Sequence, residues 1–287
     1  MNVVISVLAI VVLTSLLATL LVVAGRFLHV EEDPRIDEVE DMLPHSNCGA
    51  CGKPGCRAFA EALVAGDALP SGCTVGSPDD HVKIATFLGV DVGSQQRRVA
   101  RLACAGGNNV ARDRAHYQGM DSCAAAALVA GGGKACFWGC LGLADCANAC
   151  DFDAITMNQH DLPVVNEDAC TACGDCVQAC PKDLFSLQVE AQRLWVACSS
   201  LAEGDGVLEQ CEVGCTACGR CAMDSEGQIV MRDNLPVIQP SSNPLTDTPT
   251  KRCPTGAIVW IDQTAGIVKG DAAAKVIRQS EIHDAIT

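Results

Sequence analysis

Five residues in one short stretch, Cys170, Cys173, Cys176, Cys180 and Pro181, read Cys-x2-Cys-x2-Cys-x3-Cys-Pro. Thiolates at that spacing hold cubane iron-sulfur clusters. A tight loop wraps three of them round one cluster, and the fourth, stiffened by the proline, reaches across to ligate a neighbour. One such run therefore implies two clusters and one-electron chemistry, whereas a zinc ribbon would use separated Cys-x2-Cys pairs. Upstream, Cys136-x3-Cys140-x5-Cys146-x3-Cys150 is a variant of the run, with Leu143 where the second cysteine of the ordinary spacing would stand. The reading is that Cys136 supplies the missing thiolate. Cys136, Cys140 and Cys146 then share one cluster with Cys180, while Cys170, Cys173 and Cys176 share the other with Cys150. Spacing alone leaves other pairings open.

A further ligand set lies nearer the N-terminus, Cys48-x2-Cys51-x4-Cys56-x16-Cys73. Gly49, Gly52 and Gly55 let backbone N–H groups approach sulfur. The segment 56–65 has a helical pattern, and Pro70 and Gly72 turn the chain back so that Cys73 can close the site. An iron-sulfur module is the preferred reading here and zinc the alternative.

Internal repetition accounts for the third group of cysteines. Cys211, Cys215 and Cys221 follow Cys136, Cys140 and Cys146 by 75 residues, while Leu235-Pro236-Val237 and Cys253-Pro254 follow Leu162-Pro163-Val164 and Cys180-Pro181 by 73. In this second copy Ser225 replaces Cys150, and Asn243, Thr246 and Pro249 replace Cys170, Cys173 and Cys176. The four losses make up one complete ligand set, which supports the crossed pairing in the first copy. The other set survives as Cys215, Cys218, Cys221 and Cys253, giving about four cubanes in all. Cys104, Cys123, Cys198 and Cys211 are left over. Cys104 and Cys198 share a local context, Leu-Ala-Cys-Ala and Val-Ala-Cys-Ser, which reads as buried strand ends, and a fifth cluster would need distant segments to converge. It is not counted.

These ligands must be carried by small loop-rich units. Aromatic residues are 3% of the 287, too few for one large aromatic core, so modules stapled by metal fit better. Twenty cysteines clustered at ligand spacings in a long chain point to a reducing compartment rather than to disulfides. The net charge of −15 argues against nucleic acid and favours a basic patch on a protein partner. Residues 3–24 are apolar apart from Ser6, Thr14, Ser15 and Thr19, and as a helix they reach about 33 Å, enough to cross a bilayer core. With no basic leader, the segment reads as an uncleaved anchor; Arg26 and Arg35 beyond it place the body in the cytoplasm. An acidic stalk with a short helix (31–41) and a helix over 79–90 with Val82, Ala85 and Leu88 on its apolar face follow. Strands at 154–157 and 162–165 flank a polar turn. Gly131-Gly132-Gly133-Lys134 lacks the spacing of a phosphate loop and reads as tight backbone passage into Cys136. No nucleophile, base or dinucleotide fingerprint is visible, so no substrate site is assigned to this chain.

The expected fold is therefore α+β: an anchor (1–26), a four-cysteine module with its stalk (27–95), a two-cluster ferredoxin-like domain (96–195), a degenerate second repeat (196–260) and a tail (261–287). The anchor, the Asn47-Cys48-Gly49-Ala50-Cys51-Gly52 module and Gly139-Cys140-Leu141-Gly142-Leu143-Ala144-Asp145-Cys146 leading into Asp151-Phe152-Asp153-Ala154-Ile155 resemble the B subunit of the Rnf membrane electron-transport complex. The resemblance covers nearly the whole chain. It implies a relay component of an ion-translocating oxidoreductase at the cytoplasmic membrane, with the complex's other subunits and ferredoxin, as donor or acceptor, for partners. Departures are Ala144, Ala147 to Ala149, Asp151 where a proline often follows the cysteine, and the cluster missing from the second repeat. An iron-sulfur subunit of another membrane oxidoreductase, such as a hydrogenase or dehydrogenase, would show the same ligands. So, for the first module alone, would a reductive activator of a corrinoid enzyme.

Overall fold

The computed structural model describes residues 2–27, 33–239, 246–262 and 264–274. Glu31 and Glu32 of the stalk, Asn243 and the tail from 275 onward lie outside the described residues. Helix α1 (Asn2–Phe27) contains one span, Ile5–Arg26, long and apolar enough to cross a membrane, and its large side chains face outward unpacked. Thr14 and Thr19 return their hydroxyls to the carbonyls of Ile10 and Ser15 at 2.9 and 2.7 Å, so neither polar group is left bare in an apolar medium. A helix apolar all round and packed on nothing is consistent with a membrane anchor.

The next layer is all helix: α2 (Arg35–Asp41), α3 (Cys56–Ala65), a 3-10 turn (Pro70–Gly72) and α4 (Pro78–Leu88). α3 ends on Gly66 in the left-handed region, where Asp67 N–H returns to Ala62 O at 2.8 Å. α4 begins on a reciprocal Ser77/Asp80 cap with Pro78 in its first turn. Val39, Phe59, Leu63 and Ile84 form the core. The packed face of α4 is centred on Ile84 and Ala85, with Leu88 partly buried; Val82, expected on that face, is 53% exposed because Ile84 is the residue turned toward α3. Arg57 on α3 ties back to Asp37 and Glu40 at 2.7 and 2.8 Å.

Two further units follow, with corresponding parts. In the first, β1 (Arg98–Leu102) pairs antiparallel with β4 (Phe185–Val189), and β2 (Ile155–Met157) with β3 (Pro163–Val165). Short helices α5 (Cys123–Leu128), α6 (Asp145–Asn148) and α7 (Asp175–Ala179) carry cysteines between them. In the second, β5 (Leu194–Val196) pairs with β8 (Ile258–Asp262), which also pairs with β9 (Gly266–Lys269), and β6 (Ile229–Arg232) pairs with β7 (Leu235–Ile238). Its helices are α8 (Gly206–Gln210), α9 (Arg220–Met223) and α10 (Thr248–Lys251). Main-chain bonds correspond as well: Ala103 N–H to Leu184 O and Ala197 N–H to Ala257 O, both 2.8 Å, with acceptors 73 residues apart. Strands β2 and β3 form at the expected places, each one residue shorter at its start.

Candidate metal centre

In the N-terminal module, Cys48 and Cys51 sit on a glycine-rich loop, Cys56 opens α3 and Cys73 follows the 3-10 turn. Asn47 Oδ1 accepts the Cys56 N–H at 2.8 Å and so fixes the loop against the helix start. Cys51, Cys56 and Cys73 belong to one buried cluster, and burial pushes the Cys73 thiol up, although Gly76 and Val75 aim backbone N–H groups at its sulfur. Cys48 lines a surface cleft shared with Ala149 and Asp151 of the first unit, so this module abuts the neighbourhood of Cys150.

The first unit brings Cys150, Cys170, Cys173 and Cys176 round one void walled by Ala100, Ile155 and Leu187. Ala100 on β1 donates its N–H to Cys170 Sγ at 3.4 Å. The Cys176 thiol is pushed up to about 12 by burial and then by the neighbouring Cys170 and Cys173. A thiol that resists ionisation in an apolar pocket needs a positively charged core beside it to become a thiolate.

A second set gathers round Cys146, whose thiol rises to about 11 through burial and then through Cys123 and Cys180. Cys140, pushed to about 12 chiefly by burial, faces both Cys104 and Cys123. Cys123 stands beside Cys146 and Cys140 in this group, at the place where Cys136 is expected. Asp145 Oδ2 accepts the Ser122 hydroxyl at 3.0 Å and the Ala124 N–H at 2.9 Å, which docks the start of α5 onto the variant run. The Cys123 sulfur thereby receives backbone N–H groups of Asp145 and Leu143, beside the position a cysteine at 143 would have filled. Cys136 lies on the other side of the Gly139 turn, where its thiol meets Cys104 and Cys198 and shares a void with them and with Cys211. Sequence distance hid this exchange. The clue was Leu143 itself, since a vacant ligand position requires a donor from elsewhere in the chain.

The second unit places Cys215, Cys218, Cys221 and Cys253 round a third void, with Met231, Pro236 and Ile258 among its walls. Burial raises Cys215 to about 12 and Cys221 to about 11, whereas Cys218 is exposed at the rim. At the place of Cys150, buried Ser225 donates its hydroxyl to Ala222 O at 2.8 Å and accepts the Ile229 N–H at 2.9 Å. Pro249 is fully buried, Thr246 is exposed, and Asn243 lies outside the described residues.

The donor chemistry fits iron-sulfur clusters better than zinc. All twenty cysteines are free thiols, and three groups of four line voids. Among the described residues no group of three or more His, Cys, Asp or Glu side chains is placed to hold a single ion. Backbone N–H groups aimed at sulfur are the hydrogen bonds that tune cluster thiolates.

Two family models match the chain: one described as "Putative Fe-S cluster" over residues 43–75 and one described as "4Fe-4S binding domain" over residues 163–185. Among curated relatives, the B subunit of the Na(+)-translocating ferredoxin:NAD(+) oxidoreductase complex of Acetobacterium woodii is 40% identical over 195 residues, covering 68% of this chain and 59% of the relative. The B subunit of the ion-translocating oxidoreductase complex of Methanosarcina acetivorans is 34% identical, covering 70% of this chain and 76% of the relative. The B subunit of the proton-translocating ferredoxin:NAD(+) oxidoreductase complex of Clostridium ljungdahlii is 36% identical over 263 residues, covering 90% and 93%.

Proposed function

Because this chain belongs to the family of B subunits of ion-translocating oxidoreductase complexes, we propose that it is the electron relay of such a complex, taking single electrons from reduced ferredoxin and handing them to a partner protein. The observation that carries the reading is the crossing of Cys150 out of the variant run to share one void with Cys170, Cys173 and Cys176. That interleaving of two runs is the two-cluster ferredoxin arrangement. The two units are read as repeats of one ferredoxin-like domain, supported by their common offsets and matching strand pairs.

Four ligand sets follow: Cys48, Cys51, Cys56 and Cys73; Cys123, Cys140, Cys146 and Cys180; Cys150, Cys170, Cys173 and Cys176; and Cys215, Cys218, Cys221 and Cys253. A [4Fe-4S] cluster, when bound, supplies a site that accepts and releases one electron. The chain's own residues bind it through sulfur, stabilise its charge through N–H groups, and exclude water with walls such as Ala100, Leu187 and Ile258. Exposed Cys218 marks the second unit's set as the place where electrons pass to or from a partner. The acidic surface suits docking on a basic partner, and α1 tethers the relay beside integral subunits, with the body on the cytoplasmic side. The relatives carry different ions in their names, sodium and proton, so the ion belongs to the complex and not to this relay.

The test is to mix the oxidised, anaerobically purified chain with reduced ferredoxin and follow its EPR spectrum. Reduced-cubane signals from the chain are expected. A chain that holds iron yet stays oxidised beside reduced ferredoxin would overturn the ferredoxin-fed relay.

A further inference from the structure

Cys104, Cys136, Cys198 and Cys211 come from four separate segments and line a single void at the junction of the two units. We propose that these four thiols hold a fifth [4Fe-4S] cluster, bridging the first unit's sets to the second's. The inference rests on the relay reading and extends it with a site formed by both repeats together.

Cys104 and Cys198 each stand two residues beyond equivalent strands, β1 and β5, and Cys136 and Cys211 each stand four residues before equivalent cysteines, Cys140 and Cys215. Each repeat contributes one of each kind. Their hydrogen bonds repeat in the same way: Cys104 Sγ accepts N–H groups of Gly106 at 3.4 Å and Cys140 at 3.5 Å, and Cys198 Sγ accepts those of Ser200 at 3.5 Å and Cys215 at 3.3 Å. Gly139 N–H returns to Cys136 O, and Gly214 N–H to Cys211 O, both at 3.1 Å. Trp138 and Val213 aim their N–H groups at the Cys136 and Cys211 sulfurs. Every sulfur thus has the backbone environment of a cluster ligand.

Buried cysteines that serve only as small hydrophobes fill volume, since protein interiors are close-packed. Here half-buried Cys104, Cys136 and Cys198 and buried Cys211 line a void instead. The void holds about 420 Å3 of atom-free space, against about 350 and 310 Å3 for those of the Cys215 and Cys150 sets, solvent-facing space included in each. A side chain at Gly106 would not be accommodated freely, because a Cβ there would lie 3.2 Å from Cys211 Sγ and 3.5 Å from Cys104 Sγ.

Lys134 is 7% exposed, and its ammonium donates to Gly106 O at 2.8 Å, beside Cys104; no carboxylate pairs with it among the described residues. A buried ammonium requires a counter-charge, and a cubane held by four thiolates carries net negative charge. The glycine run before Lys134 acquires its purpose here, bringing this cation between the Cys140 set and the junction.

Loading the site turns four thiols into four iron-bound thiolates and releases four protons; an iron-sulfur carrier protein delivers the cluster intact. With it, the twenty cysteines divide into five complete sets with none left over. The junction set is tied to both neighbours, because Cys140 and Cys215, ligands of the flanking sets, donate the N–H bonds to Cys104 and Cys198. Electrons leaving either unit for the other have a stepping site between them.

The test is native mass spectrometry and iron analysis of the full-length, detergent-solubilised chain purified without oxygen, as wild type, Cys104→Ser and Cys198→Ser. Five clusters and about twenty irons are expected in wild type, falling to four clusters and about sixteen irons in each variant. Four clusters in wild type, or variants that keep every cluster wild type holds, would overturn the fifth site while leaving the relay intact. Zinc in place of iron would overturn both. If a variant fails to fold, the wild-type cluster count decides alone.

Discussion

After α6 in the first unit, Cys150 turns into the void it shares with Cys170, Cys173 and Cys176; after α9 in the second, the same position is Ser225, whose hydroxyl is spent on Ala222 and Ile229. α7 packs on α6 in the first unit and α10 on α9 in the second, but the loop cysteines ahead of α7 have no counterpart at α10, where Pro249 is fully buried. The surrounding strands pair in the same antiparallel way, with β9 added beside β8 in the second unit. At these two places the second unit thus has a buried serine with its hydrogen bonds made and a fully buried proline. Exposure differs as well: in the first unit Cys146 and Cys176 are buried, whereas Cys218 of the second lies at the surface.

The largest expected effect that sharpens this comparison is on iron content. Cys150→Ser should lose about four irons, whereas Ser225→Cys in the second unit should gain none, since one thiol without three partners is not a site. Equal iron in wild type and Cys150→Ser would break the crossed pairing. Cys123→Ser should lower iron by about one to four per chain, depending on whether the remaining three thiols retain part of the cluster; full iron with unaltered EPR would return that ligand position to another residue. A smaller effect falls on stability. Ser225→Ala leaves the Ile229 N–H without its buried acceptor and should cost about 1 to 3 kcal/mol in denaturant unfolding with iron unchanged. No loss would mean that the filled site is not held by this contact. Smallest is Ala144→Gly. Ala144 has φ +64° at the start of α6, where α7 and α9 start on Gly174 and Gly219, so glycine should stabilise by about 0.5 to 1 kcal/mol in the same unfolding measurement.

Much of this was legible in the sequence because ligand spacing is local. The Cys48 to Cys73 module, the Cys170 to Cys180 run and the 73-residue repeat can be found by counting, and helix α3 lies at 56–65 as its pattern requires. What spacing could not reveal was which distant segments converge. Cys123 reaches its place through the Asp145 carboxylate, and Cys136 is turned away by the Gly139 bend; neither is encoded as periodicity. Likewise, Cys104 and Cys198 read as buried strand ends; they are half-buried, stand two residues beyond β1 and β5, and are brought round one void by the junction of the two units. The outward turn of Val82 has the same origin, in which neighbour α4 meets and not in its own sequence.

The most direct test of the account is iron and zinc per chain, measured on full-length protein purified without oxygen. The account predicts about twenty irons and no zinc, with interacting reduced-cubane EPR signals after dithionite. Stoichiometric zinc, or a colourless chain without iron, would contradict it.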